Sequence, residues 1–299
     1  MSRTVESRSG TVALIGRPNA GKSTLLNRLV GERVSIVTHK PQTTRHRIRG
    51  IVNRPGGQLV LVDTPGLHRR RDHALNRHLN RVAAESLYGV DLAVLVIDAA
   101  SPTEEDQAAA RAVAQAQVDA VLVLNKIDRI KLRSDLLPLA RTWADRLTPL
   151  EVFFISALKG DGVDAFADGL VRHLPEQPPL FPPDEFTTES SRFLAAEIVR
   201  GQLLENLHQE VPYGATVLIE SFEEEPRRYR IGALILVSQK RHKGMVIGQG
   251  GKTLKRIGTR ARMAMQELFG MSVHLDITVR VEEGWMDREA SFSGLGYHR

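Results

Sequence analysis

A glycine-rich octapeptide, GRPNAGKS, lies near the start of the chain at residues 16–23. It follows the apolar run TVALI, which predicts a buried strand, and its last residue opens the helical pattern STLLNRL. Glycines let the backbone turn tightly and aim its N–H groups at phosphate oxygens, and the helix N-terminus favours an anion. The segment therefore predicts a phosphate-binding P-loop, in which Lys22 reaches the β- and γ-phosphates and Ser23 binds Mg²⁺.

A repeating pattern of strands and helices surrounds this loop. Short apolar runs predict strands at residues 11–15, 59–62, 92–97, 120–124 and 151–155. Helical patterns lie between them at residues 22–30, 74–87, 103–117 and 134–147. Because continuous apolar strands that alternate with helices are typical of parallel sheets covered on both faces, we predict a doubly wound α/β domain with a mostly parallel sheet over residues 1–174.

A proline-rich segment, PEQPPLFPPDEF at residues 175–186, interrupts this pattern. Proline is excluded from helix interiors and central strands, so we predict a semi-rigid linker over residues 175–189. Beyond it the pattern predicts a helix, two strands, a helix and a strand, at residues 190–208, 214–222, 228–238, 251–268 and 273–281. This order predicts a smaller α+β domain over residues 190–299, and we expect a partly ordered tail from Asp287 onward.

Two further motifs follow predicted strands of the first domain. The motif DTPG places Asp63 where its carboxylate can hold Mg²⁺ and Gly66 where its amide can approach a γ-phosphate. The motif NKID places Asp128 where its carboxylate can accept hydrogen bonds from the N1–H and amine of guanine, a pair that adenine lacks. The backbone of Ser156 and Ala157 can donate to the guanine carbonyl. With the P-loop, these motifs predict a site for GTP or GDP.

The residues that we predict to contact the nucleotide belong to these four segments. They are Gly16, Arg17, Pro18, Asn19, Ala20, Gly21, Lys22, Ser23, Thr24, Asp63, Thr64, Pro65, Gly66, Asn125, Lys126, Asp128, Ser156 and Ala157.

A second glycine-rich motif, VIGQGG at residues 246–251, lies between two helical patterns of the smaller domain. It matches the VIGxxG core of KH domains, whose GxxG loop holds the backbone of about four single-stranded nucleotides. The middle positions here are Gln249 and Gly250, so the loop lacks the basic residue that many KH loops carry. We therefore predict an RNA site that also uses neighbouring cations: Lys240, Lys243, Ile247, Gly248, Gln249, Gly250, Gly251, Lys252, Lys255 and Arg256.

The distribution of charge supports this prediction. The net charge is +6, and residues 240–262 contain eight basic residues and no acidic one. Residues 33–54 contain six basic residues and also no acidic one. The chain has no cysteine, which excludes disulfides and thiolate metal sites. The longest apolar runs are too short to span a bilayer, and we expect a cytosolic protein.

Together the segments GRPNAGKSTLLNRLVG, PQTTR, DTPG and NKID, followed by the KH-like motif, resemble the Era family of translation-factor-related GTPases. The resemblance implies a P-loop GTPase domain followed by a type II-like KH domain. It also implies a first switch loop that contains Gln42, Thr43, Thr44, Arg45 and His46. One of the two threonines would bind Mg²⁺ in the GTP state. We favour Thr44, which gives Ser23, Thr44 and Asp63 as the magnesium ligands.

The same resemblance bears on hydrolysis. Ras-like GTPases carry a water-orienting glutamine directly after the DxxG glycine, and that position is Leu67 here. We expect slow intrinsic turnover, and a K⁺ ion near the phosphates, held by Asn19, is one hypothesis for charge stabilisation. The predicted catalytic residues are Asn19, Lys22, Thr44 and Gly66.

The Era resemblance implies three kinds of partner. It implies binding to the 3′ end of 16S ribosomal RNA, a role in assembly of the 30S subunit, and peripheral association with the inner membrane. We expect the protein to be a monomer. Two alternatives remain open from the residues alone: a GTP-gated RNA-binding protein that acts in RNA modification or at the membrane, and a binding scaffold with negligible GTPase turnover.

Overall fold

A six-stranded sheet organises the first of two structural units in the computed structural model, which describes residues 7–40, 43–67, 73–207, 210–295 and 297. The first unit comprises Met1–Ser35, Thr44–Arg70 and His78–Thr188, and the second comprises Ile36–Thr43, Arg71–Arg77 and Glu189–Arg299.

The strands of the first unit follow the predicted apolar runs, with one addition. They are β1 (Arg8–Ile15), β2 (Ile48–Arg54), β3 (Gly57–Asp63), β4 (Leu92–Asp98), β5 (Ala120–Asn125) and β6 (Val152–Ile155). Their order in the sheet is β2-β3-β1-β4-β5-β6, and all neighbouring pairs are parallel except β2 with β3. Strand β2 was not predicted, because this edge strand mixes exposed and buried positions and lacks a continuous apolar run.

Helices connect these strands, as the alternating pattern predicts. They are α1 (Lys22–Val30), α2 (Ala74–Glu85), α3 (Glu104–Gln115), α4 (Leu136–Leu147) and α5 (Val163–Arg172). Residues of α3 and α4 pack with β1, β4 and β5 in one buried cluster that contains Ile15, Leu95, Leu122 and Trp143. The mostly parallel doubly wound sheet is therefore confirmed.

Three arginines of the basic stretch at residues 33–54 are buried or lie beside carboxylates. Arg45 is buried, Arg47 lies 3.5 Å from Glu85, and Arg54 forms ion pairs with two carboxylates of α5, Asp164 and Asp168. These three arginines therefore serve contacts within the protein.

The proline-rich segment runs along the first unit as an extended chain. The backbone N–H of Ser9 donates to Pro175, and the N–H of Ile51 donates to Phe186. The buried side chain of Gln58 accepts from the N–H groups of Leu180 and Phe181. Residues 175–188 are thus fixed by hydrogen bonds to their own unit.

The second unit contains a three-stranded sheet in the order β7-β8-β9, with β7 (Ala215–Glu225) antiparallel and β9 (Ser272–Val281) parallel to the central β8 (Arg228–Val237). Three helices, α6 (Ser191–Asn206), α7 (Lys240–Ile247) and α8 (Lys252–Phe269), bury Val199, Val246 and Ile257 in one cluster with the strands. The α–β–β–α–α–β order confirms the predicted KH fold.

Several described residues near the end of the chain are buried in the second unit. Helix α9 (Glu289–Gly294) follows the fully buried Trp285, whose Nε1 donates to the carbonyl of Gly214. Tyr297 stacks on Trp285, and its hydroxyl lies 3.0 Å from that of Thr216. Described residues beyond Asp287, such as Phe292 and Tyr297, are thus buried in the second unit.

Candidate functional site

The P-loop connects β1 to α1 at the carboxyl edge of the sheet, and two of its glycines are required by close contacts. Gly21 has φ +105°, and a Cβ there would lie 2.2 Å from Asn125 Nδ2. A Cβ on Gly16 would lie 2.4 Å from the carbonyl oxygen of Val96. Only glycine fits at both positions, which brings the loop backbone against β4 and β5.

Lys22 is buried within this loop. Its Nζ donates to the carbonyl oxygens of Gly16 and Arg17, each at 3.0 Å. Burial lowers the pKa of Lys22 from 10.5 to about 8, although the nearby Asp63 opposes the change. An ammonium held among carbonyls in a loop of this shape is placed to bind phosphate oxygens, whose negative charge would favour its protonated form.

Three hydroxyls converge on Asp63 at the end of β3. Asp63 Oδ2 accepts from Ser23 Oγ at 2.6 Å, Ser35 Oγ at 2.8 Å and Thr44 Oγ1 at 3.2 Å. Asp63 Oδ1 is buried and has no hydrogen-bond partner within the described part of the chain. Burial raises the pKa of this carboxyl. A buried carboxylate beside several hydroxyl oxygens fits a hard cation such as Mg²⁺.

The segment that we predicted as the first switch loop places its two threonines differently. The hydroxyl of Thr44 lies in the Asp63 cluster and 2.9 Å from Ser23 Oγ, whereas Thr43 Oγ1 donates to the carbonyl of Lys40. Of the other predicted residues, Arg45 is buried, His46 is half-buried, and Gln42 lies outside the described residues. Ser35 carries no motif, so nothing in the sequence pointed to its place beside Asp63.

The Asn125 amide joins two loops of the nucleotide site. Its Nδ2 donates to the Ala20 carbonyl at 2.9 Å, and its Oδ1 accepts from the Ala157 N–H at 2.9 Å. Ser156 Oγ donates to Asp128 Oδ1 at 2.6 Å, and the Asp128 side chain is exposed at the mouth of the site. This arrangement presents an exposed carboxylate that can accept hydrogen bonds from a guanine edge.

A network of charges braces the P-loop from the side of β4. Lys126, at φ +64°, donates to the Asn19 carbonyl at 2.6 Å and to Asp98 Oδ2 at 2.8 Å. Arg17 Nε donates to the buried Asp106 at 3.0 Å. Neither aspartate was predicted from the sequence to belong to this site. The pattern of Thr103 and Asp106 can predict a helix cap, but not a contact with the P-loop.

The DTPG motif passes directly over the P-loop. A Cβ on Gly66 would lie 2.4 Å from the backbone nitrogen of Pro18, and the Leu67 N–H donates to the Gly16 carbonyl at 3.3 Å. The Leu67 side chain packs against the hydrophobic core, and the Thr64 hydroxyl donates to the Leu14 carbonyl. Neither side chain is placed to orient water. Asn19 of the P-loop is exposed and has φ +62°.

The GxxG loop of the second unit joins α7 to α8. Gly248, Gly250 and Gly251 all have positive φ, at 72°, 58° and 76°. A Cβ on Gly248 would lie 2.3 Å from Thr253 Oγ1, whereas a Cβ on Gly250 or Gly251 would meet nothing within 4 Å. The first glycine is needed for packing, and the other two leave the loop surface bare for a close approach by a nucleic-acid backbone.

Basic residues surround this bare loop. The predicted cations Lys240, Lys243, Lys252, Lys255 and Arg256 are all exposed, and Ile247 is half-buried beside them. Within the part of the chain that the structure describes, these five side chains form no ion pair, while the neighbouring Arg241 pairs with Glu210 at 3.2 Å. Helix α8 begins at the loop, so its first N–H groups add to the attraction for phosphate.

These two sites define a P-loop GTPase domain and a KH domain in one chain. Residues 11–126 match a family model described as a 50S ribosome-binding GTPase, and residues 210–286 match the KH domain model. The chain is 52% identical to GTPase Era of Xanthomonas oryzae over 97% of both chains, and 50% identical to GTPase Era of Stenotrophomonas maltophilia over 99% of this chain and all of the relative. It belongs to the Era family of GTPases.

Solved structures agree with this assignment. A variant of Aquifex aeolicus Era bound to GDP and AlF4⁻, and Era in complex with MgGDPNP and nucleotides 1506–1542 of 16S ribosomal RNA, each superpose with a TM-score of 0.93. Both are 34% identical to this chain and cover 98% of it. Among the residues described, no helix combines the length and the apolar character that a membrane crossing requires.

Proposed function

We propose that this chain is a GTP-binding and GTP-hydrolysing switch that binds small-subunit ribosomal RNA near its 3′ end and assists assembly of the 30S subunit. The observation that carries the proposal is the presence, in one chain, of a guanine-nucleotide site and a bare GxxG loop surrounded by cations. The solved Era complex with MgGDPNP and 16S ribosomal RNA supports it, because this chain shares that fold over nearly its full length.

The nucleotide site acts mainly by positioning charge. Lys22 and the loop N–H groups hold the β- and γ-phosphates, and Asp128 accepts from the guanine edge. Ser23, Thr44 and Asp63 hold Mg²⁺, which neutralises charge on the phosphate oxygens. The Gly66 amide reports whether the γ-phosphate is present, because this residue already contacts Pro18 of the P-loop.

Hydrolysis in this site proceeds without a glutamine to orient the attacking water. We propose that the Asn19 amide helps to hold a K⁺ ion near the phosphates, where the cation stabilises the developing negative charge. Replacing K⁺ by Na⁺ at equal ionic strength should then slow single-turnover hydrolysis, and Asn19→Ala should remove the difference. Equal rates in the two salts for the unchanged protein would rule the cation out.

The RNA site recognises a single strand through its backbone. Gly250 and Gly251 let the strand lie on the loop, and the cations of α7 and α8 attract its phosphates. Binding of GTP orders switch segments through the γ-phosphate, and hydrolysis releases them. We propose a monomer that works in the cytoplasm and contacts the inner membrane only peripherally.

A matched pair of variants tests the RNA assignment. Gly250 and Gly89 both have positive φ, and a Cβ added at either position would meet nothing within 4 Å, so aspartate strains the two positions alike. RNA binding is measured with a labelled oligonucleotide that carries nucleotides 1506–1542 of 16S ribosomal RNA, and with a scrambled oligonucleotide, at saturating GDPNP or GDP.

Gly250→Asp should weaken binding of the cognate RNA at least tenfold, because a carboxylate then faces the phosphates, while Gly89→Asp should bind as the unchanged protein does. Tighter binding with GDPNP than with GDP supports the switch. Equal binding of the cognate RNA with GDPNP and with GDP would support the RNA target but contradict the switch. Equal binding of the cognate and the scrambled oligonucleotide would contradict the proposal that the protein recognises this part of 16S ribosomal RNA.

One observation favours a scaffold with negligible turnover as a second candidate. The Leu67 side chain packs into the core, so the usual water-orienting side chain is missing from this site. Multiple-turnover hydrolysis in K⁺ with the cognate RNA present separates the two candidates, since a switch releases phosphate repeatedly and a scaffold does not.

A further inference from the structure

The segment Ile36–Thr43, which leads into Thr44, belongs to the same structural unit as the KH fold. Ile36 is buried and lies against Gly201 of α6, where a Cβ would meet it at 3.4 Å. This part of the first switch loop is therefore packed on a helix of the second unit.

A buried ion pair of α6 holds the end of this segment. Arg200 Nε and Nη2 donate to the two carboxylate oxygens of Glu197, each at 2.7 Å, and both side chains are almost fully buried. Arg200 Nη2 also donates to the backbone carbonyl of Thr43. Burial by itself would lower the pKa of Arg200, but Glu197 raises it above its ordinary value, so the guanidinium stays charged.

A second cation ties the same segment to the end of α6. Lys40 Nζ donates to the backbone carbonyls of Leu204 and Leu207, and the last turn of α6 contains no basic residue of its own. Carbonyls at a helix C-terminus are favourable partners for a cation, so Lys40 supplies from the segment the charge that the helix lacks.

These contacts bear on the magnesium site because Thr43 and Thr44 share a peptide bond. The Thr43 hydroxyl donates to the Lys40 carbonyl and lies 2.8 Å from the Thr38 hydroxyl, so these contacts stay within the segment. The orientation of the next residue then depends on the Thr43 carbonyl, which Arg200 holds. The paired contacts with Glu197 hold the guanidinium in one orientation, in which it also contacts the Thr43 carbonyl.

We propose that Arg200 is a positioning residue for GTP hydrolysis: through the Thr43 carbonyl it holds Thr44 in the place where its hydroxyl reaches Mg²⁺ in the GTP state. The proposal rests on the proposed function of the nucleotide site.

The test compares Arg200→Ala and Arg200→Lys with Arg192→Ala, which removes an arginine of the same helix that donates to the carbonyls of Ile219 and Glu220. Single-turnover GTP hydrolysis is followed as a function of Mg²⁺ concentration, together with GDP affinity and thermal unfolding. We expect Arg200→Ala to lower the rate about tenfold or more and to raise the half-saturating Mg²⁺ concentration, with GDP affinity unchanged.

Arg200→Lys keeps the charge but loses the bidentate contact with Glu197. It should therefore change the hydrolysis rate and the half-saturating Mg²⁺ concentration in the same direction, but by less. If Arg200→Ala fails to fold, Arg200→Lys and Lys40→Ala carry the test. Wild-type Mg²⁺ dependence in the folded variants, or a loss of GDP affinity as large as the loss of hydrolysis rate, would overturn the proposal. Absence of hydrolysis in the unchanged protein would instead overturn the proposed function.

Discussion

The nucleotide site and the GxxG face differ in how the chain builds them. The nucleotide site gathers residues that are far apart in sequence, and Lys22, Asp63 and Asn125 are at most 5% exposed. The GxxG face consists of one continuous stretch whose cations point into solvent. Buried groups are held by several partners at once and act in a low dielectric, whereas exposed cations act separately and are screened by salt. Single substitutions should therefore have large effects in the first site and graded effects in the second.

Asp128→Asn should produce the largest change. The amide can no longer accept both guanine donors, so the affinity for GDP should fall about 10⁴-fold. Because xanthine carries a carbonyl in place of the guanine amine, the variant should gain affinity for xanthosine diphosphate. Titration of both nucleotides checks this, and Asp135→Asn, a change at an exposed aspartate outside the site, serves as the control. Retained GDP affinity in Asp128→Asn would place the guanine edge elsewhere.

Gly66→Ala should be next in size. The added Cβ would lie 2.4 Å from Pro18 N, so the DTPG segment must move away from the P-loop. A displacement of this kind should lower the single-turnover hydrolysis rate about 10²-fold, with a smaller effect on GDP binding. Gly244→Ala is the comparison, because a Cβ there meets nothing within 4 Å. A rate equal in the two variants would show that the contact between Gly66 and the P-loop is dispensable.

The two sites also differ in how far they could be predicted from the sequence. The P-loop and the GxxG loop were predictable because their glycines are dictated by local backbone geometry. Strands such as β4, a continuous apolar run buried on both faces, were predictable for a similar reason. Ser35, Asp98 and Asp106 were not, because only the packing of the domain brings Ser35 to Asp63 and the two aspartates to Arg17 of the P-loop. The burial of Tyr297 likewise depends on a distant partner, Thr216.

Removing cations from the GxxG face should give smaller and additive effects. Lys252→Ala and Lys255→Ala should each weaken RNA binding by a factor of about 3 to 10 at moderate salt. Each should lower the slope of log affinity against log salt by about 0.7, the value for single-stranded contacts. Lys131→Ala, an exposed lysine of the first unit, should leave both quantities unchanged. If either single variant lost more RNA affinity than the variant with both substitutions, the two lysines would not act separately. The contrast with the buried site would then fail.

The protonation of Lys22 gives the smallest signal and probes burial directly. Burial lowers its pKa from 10.5 to about 8, so between these values the folded, nucleotide-free protein binds fewer protons than the unfolded chain. This group therefore makes the free protein more stable as pH rises through that window, and it gives no such gain below it. Phosphate oxygens favour the charged ammonium, so GDP binding should take up about half a proton at pH 8 and almost none at pH 7. Calorimetric titration in two buffers of different ionisation enthalpy measures this uptake. No uptake at pH 8 would mean that Lys22 is already charged in the free loop, and the buried site would then resemble the exposed face in its electrostatics.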